Sequence, residues 1–311
     1  AASKAVAKFE MTENAPVLFS LVKSASEQEV RMAALRAIAE IKADNLNAAL
    51  EKALSDRESE VRALALELVP DSGLEEHKAV ALFQKILQQG TIKEQQAAYT
   101  ALGTLRGEAA VDLLESALLD LMEQRAAPEV QLDVLEAIRA QADEALLAQL
   151  ENYEAAKDQD NPLEQYREAL AGGTAWKGRE IFYRNEAAQC VRCHAVFEHG
   201  GNAGPGLAGV ADRLTTPQLL EAIVAPSARY AAGYEVAILK MKDGESISGI
   251  VTAETDEMIQ LKVGEDEQTV SKADVEKRQP VPSSMPLLTA VLDKRQIRDL
   301  VAFLGTLRVE S

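Results

Sequence analysis

The sequence predicts a mainly α chain in two domains. The first is an N-terminal α-solenoid over residues 1–171. The second is a smaller helical domain over 172–311 with a small antiparallel β insert at about 234–271. Three observations predict this. Residues 15–150 are rich in Ala, Leu and Glu and poor in aromatics, a helical composition almost free of strand-like alternation. Four segments in that stretch can be laid over one another, their starts 31, 34 and 35 residues apart. After Gly172-Gly173 the texture changes to short helices, a Gly-rich loop and a run of alternating apolar and polar residues.

The four segments are Val30-Arg31-Met32-Ala33-Ala34-Leu35, Val61-Arg62-Ala63-Leu64-Ala65-Leu66, Gln95-Gln96-Ala97-Ala98-Tyr99-Thr100 and Val130-Gln131-Leu132-Asp133-Val134-Leu135. Each follows a polar turn such as Ser26-Glu27-Gln28-Glu29 or Asp56-Arg57-Glu58-Ser59-Glu60. Further amphipathic stretches at 46–53 and 111–121 lie between them, so a two-helix unit recurs, the sign of an α-solenoid. The Glu-Val-Arg openings resemble short HEAT-like repeats, with a period below the roughly 40–47 residues of standard units. A plain helical bundle with chance similarity is the competing interpretation. The pattern breaks at Asp158-Gln159-Asp160-Asn161-Pro162, and Gly172-Gly173 follows a short helix, which puts the domain boundary near 171/172.

In the second domain, residues 176–185 read as a short helix and 190–207 as a Gly-rich loop. A second helix is expected over 217–224, with Thr216 placed to cap it and Pro217 in its first turn. Tyr234, Val236 and Ile238 then alternate, and Asp243-Gly244 is a strong hairpin turn. Ile259, Leu261 and Val263 alternate with Met258, Gln260 and Lys262, and a polar turn at 264–267 precedes Thr269-Val270. That makes a meander of about four strands. Residues 293–307 read as a final helix with Ile297, Leu300, Val301 and Leu304 on one stripe.

Charge narrows the partners. Of the formal net charge of −17, residues 1–171 carry −14 and residues 172–311 carry −3. A basic nucleic-acid footprint is absent, which argues against that class of partner. The acidity either keeps a solvated surface soluble or steers a basic partner. No apolar run approaches the ~18 residues a membrane span needs. Ala1-Ala2-Ser3-Lys4 lacks the apolar core of a signal peptide, consistent with a cleaved signal or with trimming of a longer protein.

The chemistry concentrates at Cys190-Val191-Arg192-Cys193-His194, which holds both cysteines of the chain. Three apart, they cannot form a dispersed disulfide framework. The spacing is the c-type haem attachment signature: two thiols on one turn reach two vinyl groups of one macrocycle, and the adjacent His lies beneath the iron. A thioredoxin-like dithiol needs an open strand-to-helix context, and a Gly-rich loop follows here instead. A structural zinc site needs four ligands, and only His199 and His77 remain to help.

The surroundings agree with haem. Gly204-Pro205-Gly206-Leu207 lies 10 to 13 residues after His194, and Met285-Pro286 lies 91 residues after it, just before the last helix. Of Met241, Met258 and Met285, all downstream of the motif, Met285 is the preferred distal ligand. Ser283-Ser284-Met285-Pro286 reads as a non-helical loop able to turn a thioether inward, whereas a Met elsewhere is more often core filling. His199, five residues from His194, is too near in sequence to span the ring, and His77 reads as a surface residue of the repeats.

Residues 172–311 as a whole resemble a mono-haem cytochrome c domain of the His/Met type. More narrowly, they are similar to the haem-binding domain at the C-termini of large secreted proteins of planctomycetes and verrucomicrobia. The matching residues are Gly178-Arg179-Glu180-Ile181-Phe182, Gly200-Gly201, Gly204-Pro205-Gly206-Leu207, Ala225-Pro226-Ser227, Gly233-Tyr234-Glu235, Asp243-Gly244, Met285-Pro286 and Asp299-Leu300-Val301-Ala302-Phe303-Leu304. HEAT-like repeats often precede that domain. A sugar-dehydrogenase-like β-propeller often does too, and this chain lacks one.

The resemblance implies one haem c per chain, with thioethers on Cys190 and Cys193 and with His194 and Met285 as axial iron ligands. It further implies that the Pro205 carbonyl accepts a hydrogen bond from the outer nitrogen of His194 and that Leu207 lies against the ring. Gly178 and Phe182 would let the first helix cross the last near Leu300 and Phe303. Arg213 and Arg229 are weaker candidates for the haem propionates. The implied function is electron transfer rather than catalysis, in a periplasmic or other extracytoplasmic setting, with a dehydrogenase domain or another cytochrome as redox partner. A haem enzyme or sensor with a labile distal ligand, and a scaffold carrying a redox centre to a partner, are the competing functions. The strand insert serves either as a cover over the haem edge or as a docking surface.

Overall fold

The structure is a computed structural model that describes residues 12–309. It is mainly helical, with one five-stranded antiparallel sheet, and it divides into two compact units between Lys157 and Asp158.

The first unit holds nine helices among the described residues: α1 Ala15–Ser24, α2 Gln28–Glu40, α3 Leu46–Leu54, α4 Ser59–Leu68, α5 Glu76–Gln89, α6 Ile92–Leu102, α7 Glu108–Met122, α8 Gln131–Gln141 and α9 Glu144–Ala155. Good helix formers fill them, and local caps end them. Thr91 and Glu94 form a capping box at α6, and Asp143 accepts from the Leu146 amide at α9. Successive helices pack in pairs, α2, α4, α6 and α8 also pack in series, and α5, α7 and α9 do likewise. Two helical layers result. Buried Leu and Ala fill the space between them, and the small Ala34, Ala49, Ala65, Ala98 and Ala101 let the helices approach closely.

The four overlaid segments fall on α2, α4, α6 and α8, and their second residues do related work. Arg31 Nη1 donates to the carbonyls of Ala25 and Ser26 (both 2.9 Å), and Arg62 Nη1 donates to those of Asp56 (2.8 Å) and Arg57 (3.0 Å). Gln131 Nε2 reaches back to the Ala126 carbonyl, and Gln96 Nε2 reaches forward to that of Glu129. The arginines also span to the next helical pair, Arg31 as a fork on Asp56 and Arg62 as a fork on Glu94. Arg62, and secondarily Thr91, hold the Glu94 carboxyl down at about 2 despite its partial burial.

The second unit begins at Asp158, fourteen residues before the expected boundary at Gly172. The correction has a packing cause: Leu163, Tyr166, Ala169 and Leu170 join the hydrophobic core of this unit. Its longer helices are α10 Ala175–Arg184, α11 Thr216–Val224 and α12 Lys294–Leu304. Helix α10 crosses α12 at Gly178, where a Cβ would collide with the Asp299 carbonyl and lie 2.8 Å from the Phe303 Cβ. Phe182 settles between Tyr183 and Phe303, with ring centres 4.9 and 5.6 Å away. Asp293 and Gln296 cap α12 reciprocally. At α11 the cap is Thr215, boxed with Gln218, so Thr216 is already helical rather than the cap expected from Thr216-Pro217.

Between α11 and α12 lies the sheet, with strands β1 Val236–Met241, β2 Ser246–Glu254, β3 Met258–Val263, β4 Asp266–Ser271 and β5 Val275–Pro280. The order is β4-β3-β2-β1-β5, with β5 folding back to pair beside β1. The insert therefore has five strands rather than about four and extends to 280. Gly244, at φ +92°, turns the β1–β2 hairpin. Ala237, Leu239, Met241, Val251, Ile259, Leu261 and Val270 form a core of their own within the sheet. Among the described residues, no helix is long and apolar enough to cross a membrane.

Candidate functional site

The 190–194 motif sits at the end of a turn built locally. The Asn185 side chain accepts from the amides of Ala187 and Ala188, and Gln189 adopts a left-handed conformation (φ +48°) just before the single helical turn Cys190–Cys193. That turn puts both thiols on one short segment. Cys190 is half-buried, Cys193 is exposed, and neither is in a disulfide. Burial first, and then the neighbouring Cys193, push the Cys190 thiol up to about 11. A dithiol redox site works through a lowered thiol, so this environment runs against the thioredoxin-like alternative.

The loop that follows is stitched back onto the motif. The amides of Gly201, Gly204 and Leu207 donate to the carbonyls of Val191 (2.9 Å), Cys193 (2.8 Å) and Ala195 (2.8 Å). This fold brings Pro205 to the imidazole, with His194 Nδ1 2.9 Å from the Pro205 carbonyl oxygen. A carbonyl only accepts, so Nδ1 carries the proton and the Nε2 lone pair is the one available to a metal. Gly204 lies flat against the other side of the contact: a Cβ there would stand 2.6 Å from His194 Cε1 and 2.9 Å from Nδ1. Any larger residue at 204 would displace the ring or the loop.

Met285 and Leu207 meet the same core. Both are partly buried and pack against the cluster that also receives Cys190 and Val191. The Met285 amide donates to Ser283 Oγ, and the Ser283 amide donates to Ser227 Oγ, so the 283–285 segment is held in the non-helical form the sequence predicts. The other two methionines lie elsewhere. Met241 is buried in the core of the sheet, and Met258 is half-buried on β3 beside the inward-facing Ile259. His199 is exposed on the turn bridging Val196 and His199, and His77 is exposed near Glu75.

The two arginine candidates are engaged locally. Arg213 donates to the carbonyls of Gly206 and Ala208, and Arg229 pairs with Glu221. Arg213 thus buttresses the loop that carries Pro205 and Leu207. A cavity of about 380 Å³ lined by Ala211, Arg213, Thr215, Leu219, Gly305 and Arg308 contains none of the ligand candidates. Among the described residues, no group of three or more His, Cys, Asp or Glu side chains is arranged to hold a metal ion, so a four-ligand zinc site has no donor set there.

The donor set is compatible with a haem. Two unpaired thiols share one helical turn, one imidazole is locked with Nε2 as its free donor, and glycine replaces bulk where the loop meets that imidazole. Gly204 and Tyr234 lie in segments that carry the family resemblance, but the packing of Gly204 on the ring and the Tyr234 hydrogen bond to it emerge only from the structure. Comparison of the chain with protein-family models and with curated proteins finds no match.

Proposed function

We propose that this chain is an electron-transfer protein carrying one covalently bound c-type haem on Cys190, Cys193 and His194, with Met285 as the sixth ligand of the iron. The observation that carries the proposal is the 2.9 Å contact between His194 Nδ1 and the Pro205 carbonyl, beside two unpaired thiols on the preceding turn. When bound, the haem supplies an iron that takes up and releases one electron. The protein does the rest. The cysteines would anchor the ring, Pro205 fixes the His194 tautomer that leaves Nε2 free for the iron, and Leu207 would lie against the ring. A soft thioether from Met285 would favour the reduced iron and leave no open position for a substrate.

The first unit supports a second element of the proposal. We read its two helical layers and the recurring Arg31/Arg62 clamps as a short HEAT-like α-solenoid, a form that presents an extended surface to a partner. On the family resemblance of residues 172–311, we place the chain on the electron-accepting side of an extracytoplasmic dehydrogenase system, with a dehydrogenase domain or another cytochrome as redox partner.

The test is optical. Oxidised protein from a host competent in haem attachment should show the weak band at the red end of the visible that marks thioether–iron ligation. Met285→Ala should abolish that band, lower the potential and speed carbon monoxide binding to the reduced form, while Met241→Ala and Met258→Ala leave all three unchanged. Unaltered ligation in Met285→Ala, or lost ligation in either of the others, contradicts the assignment. A haem protein with no such band in its native form favours an enzyme or sensor instead.

A further inference from the structure

A hydrogen bond joins the segment entering the β unit to the loop of the candidate haem site. Gly233, at φ +80°, turns the chain into β1, and the next residue, Tyr234, donates from its hydroxyl to the Gly204 carbonyl (3.1 Å). Gly204 is the residue packed against the His194 imidazole, and its carbonyl belongs to the peptide bond that leads into Pro205. Fixing that carbonyl fixes the plane from which the Pro205 backbone continues to its own carbonyl, the acceptor of His194 Nδ1–H.

Tyr234 is itself held on a stiff base. The Glu235 carbonyl accepts from the Val251 amide in β2, and the Glu235 carboxylate accepts from Arg278 in β5 (2.5 Å). Arg278 also donates to Glu254 in β2 (2.8 Å), which pairs in turn with Lys272 (2.7 Å). Four charges thus join β2, β5, the turn before β5 and the segment entering β1. Each is at most about one-third exposed, so the set is less solvated than an ordinary surface pair. On the other flank, the Tyr230 hydroxyl donates to the Val281 carbonyl, next to the 283–285 segment.

We propose that Tyr234 is a positioning residue for the proximal ligand: the β unit, through Tyr234 and Gly204, holds the Pro205 carbonyl on His194. The proposal rests on the haem assignment for its redox consequence, but the clamp is a property of the protein's own residues. A hydrogen bond to Nδ1–H gives the imidazole more anionic character and stabilises the oxidised iron. Loosening the acceptor should therefore raise the potential.

The experiment uses Tyr234→Phe in the full chain, which removes one oxygen and leaves the half-exposed ring in place. In the haem-free chain, the His194 Nδ1 proton should exchange with solvent faster, as read by proton NMR. In the haem-loaded chain, the midpoint potential should rise, so that more of the iron is reduced at a fixed solution potential. The red-end band should persist, because Met285 is untouched. Tyr230→Phe, on the flank of the Met285 segment, should leave Nδ1 exchange unchanged. The proposal is overturned if Tyr234→Phe leaves both exchange and potential at their native values, or if Tyr230→Phe speeds Nδ1 exchange as much as Tyr234→Phe does. A chain that attaches no haem defeats the haem assignment, and the exchange measurement on that same chain still decides whether Tyr234 holds the loop.

Discussion

The two units of this chain solve the folding problem in opposite ways. In residues 12–157 the same device recurs. An arginine or glutamine near the start of a helix ties down a turn, and alanines at helix contacts let Leu-rich layers close. In residues 158–309 the key contacts occur once each: Gly178 beneath Asp299, Gly204 against His194, Tyr234 on Gly204. Repetition spreads stability over equivalent positions and leaves no single place for chemistry. Singular close approaches do the reverse, gathering unlike groups at one point at the cost of tolerance to change. The candidate redox site falls in the second unit for that reason.

On this contrast, the largest stability effect of a single exposed-looking residue in the first unit belongs to a clamp between helices. Arg62→Ala leaves Glu94, 9% exposed at its side chain, as a nearly buried carboxylate without its main partner. A loss of about 3 kcal/mol, the lower end for breaking a buried pair, is expected in urea denaturation followed by far-UV circular dichroism. A change below about 1 kcal/mol would mean the clamp is ornamental. In the second unit Gly178→Ala should cost a similar amount, about 2–3 kcal/mol, because the obstacle is a backbone carbonyl that cannot rotate away. Amide exchange in α10 and α12 would report it locally.

Acid gives a sharper comparison at about the same scale. The Glu94 carboxyl is held at about 2, against an ordinary value of 4.5. Its contribution is therefore complete above about pH 4.5 and is lost as the pH falls toward 2. Up to about 3 kcal/mol is at stake, before screening by solvent. A stability profile between pH 5 and 2 should slope downward in the native chain and flatten over that window in Arg62→Ala. Equal slopes in both would remove Arg62 as the cause. The smallest effect tests the boundary. A fragment beginning at 172 lacks Leu163, Tyr166, Ala169 and Leu170, and it should be about 2 kcal/mol less stable than one beginning at 158.

Helix spacing was legible because Leu and Ala recur on one face, and the four overlaid segments lie on α2, α4, α6 and α8. The sheet was legible only in part. Val236 to Val270 alternate in and out, whereas β5 reads Val-Glu-Lys-Arg-Gln-Pro, an edge strand with one apolar residue and no alternation to see. The unit boundary lies earlier than expected because residues 158–171 read as one more short helix of the preceding helical run, and nothing local shows that Leu163, Tyr166, Ala169 and Leu170 pack on the second core. The thiols and His194 announce themselves by spacing. The Pro205 contact followed only from family resemblance. The Tyr234–Gly204 bond joins residues 30 apart across helix α11, a contact that no local pattern encodes.

The central claim is a covalent haem, and the mass of the intact chain tests it most directly. The full chain, expressed in a host competent in haem attachment and acid-denatured to strip any loosely held group, should weigh one haem more than the peptide. Cys190→Ser with Cys193→Ser should return it to the peptide mass. A native chain that carries no added mass under those conditions would contradict the account.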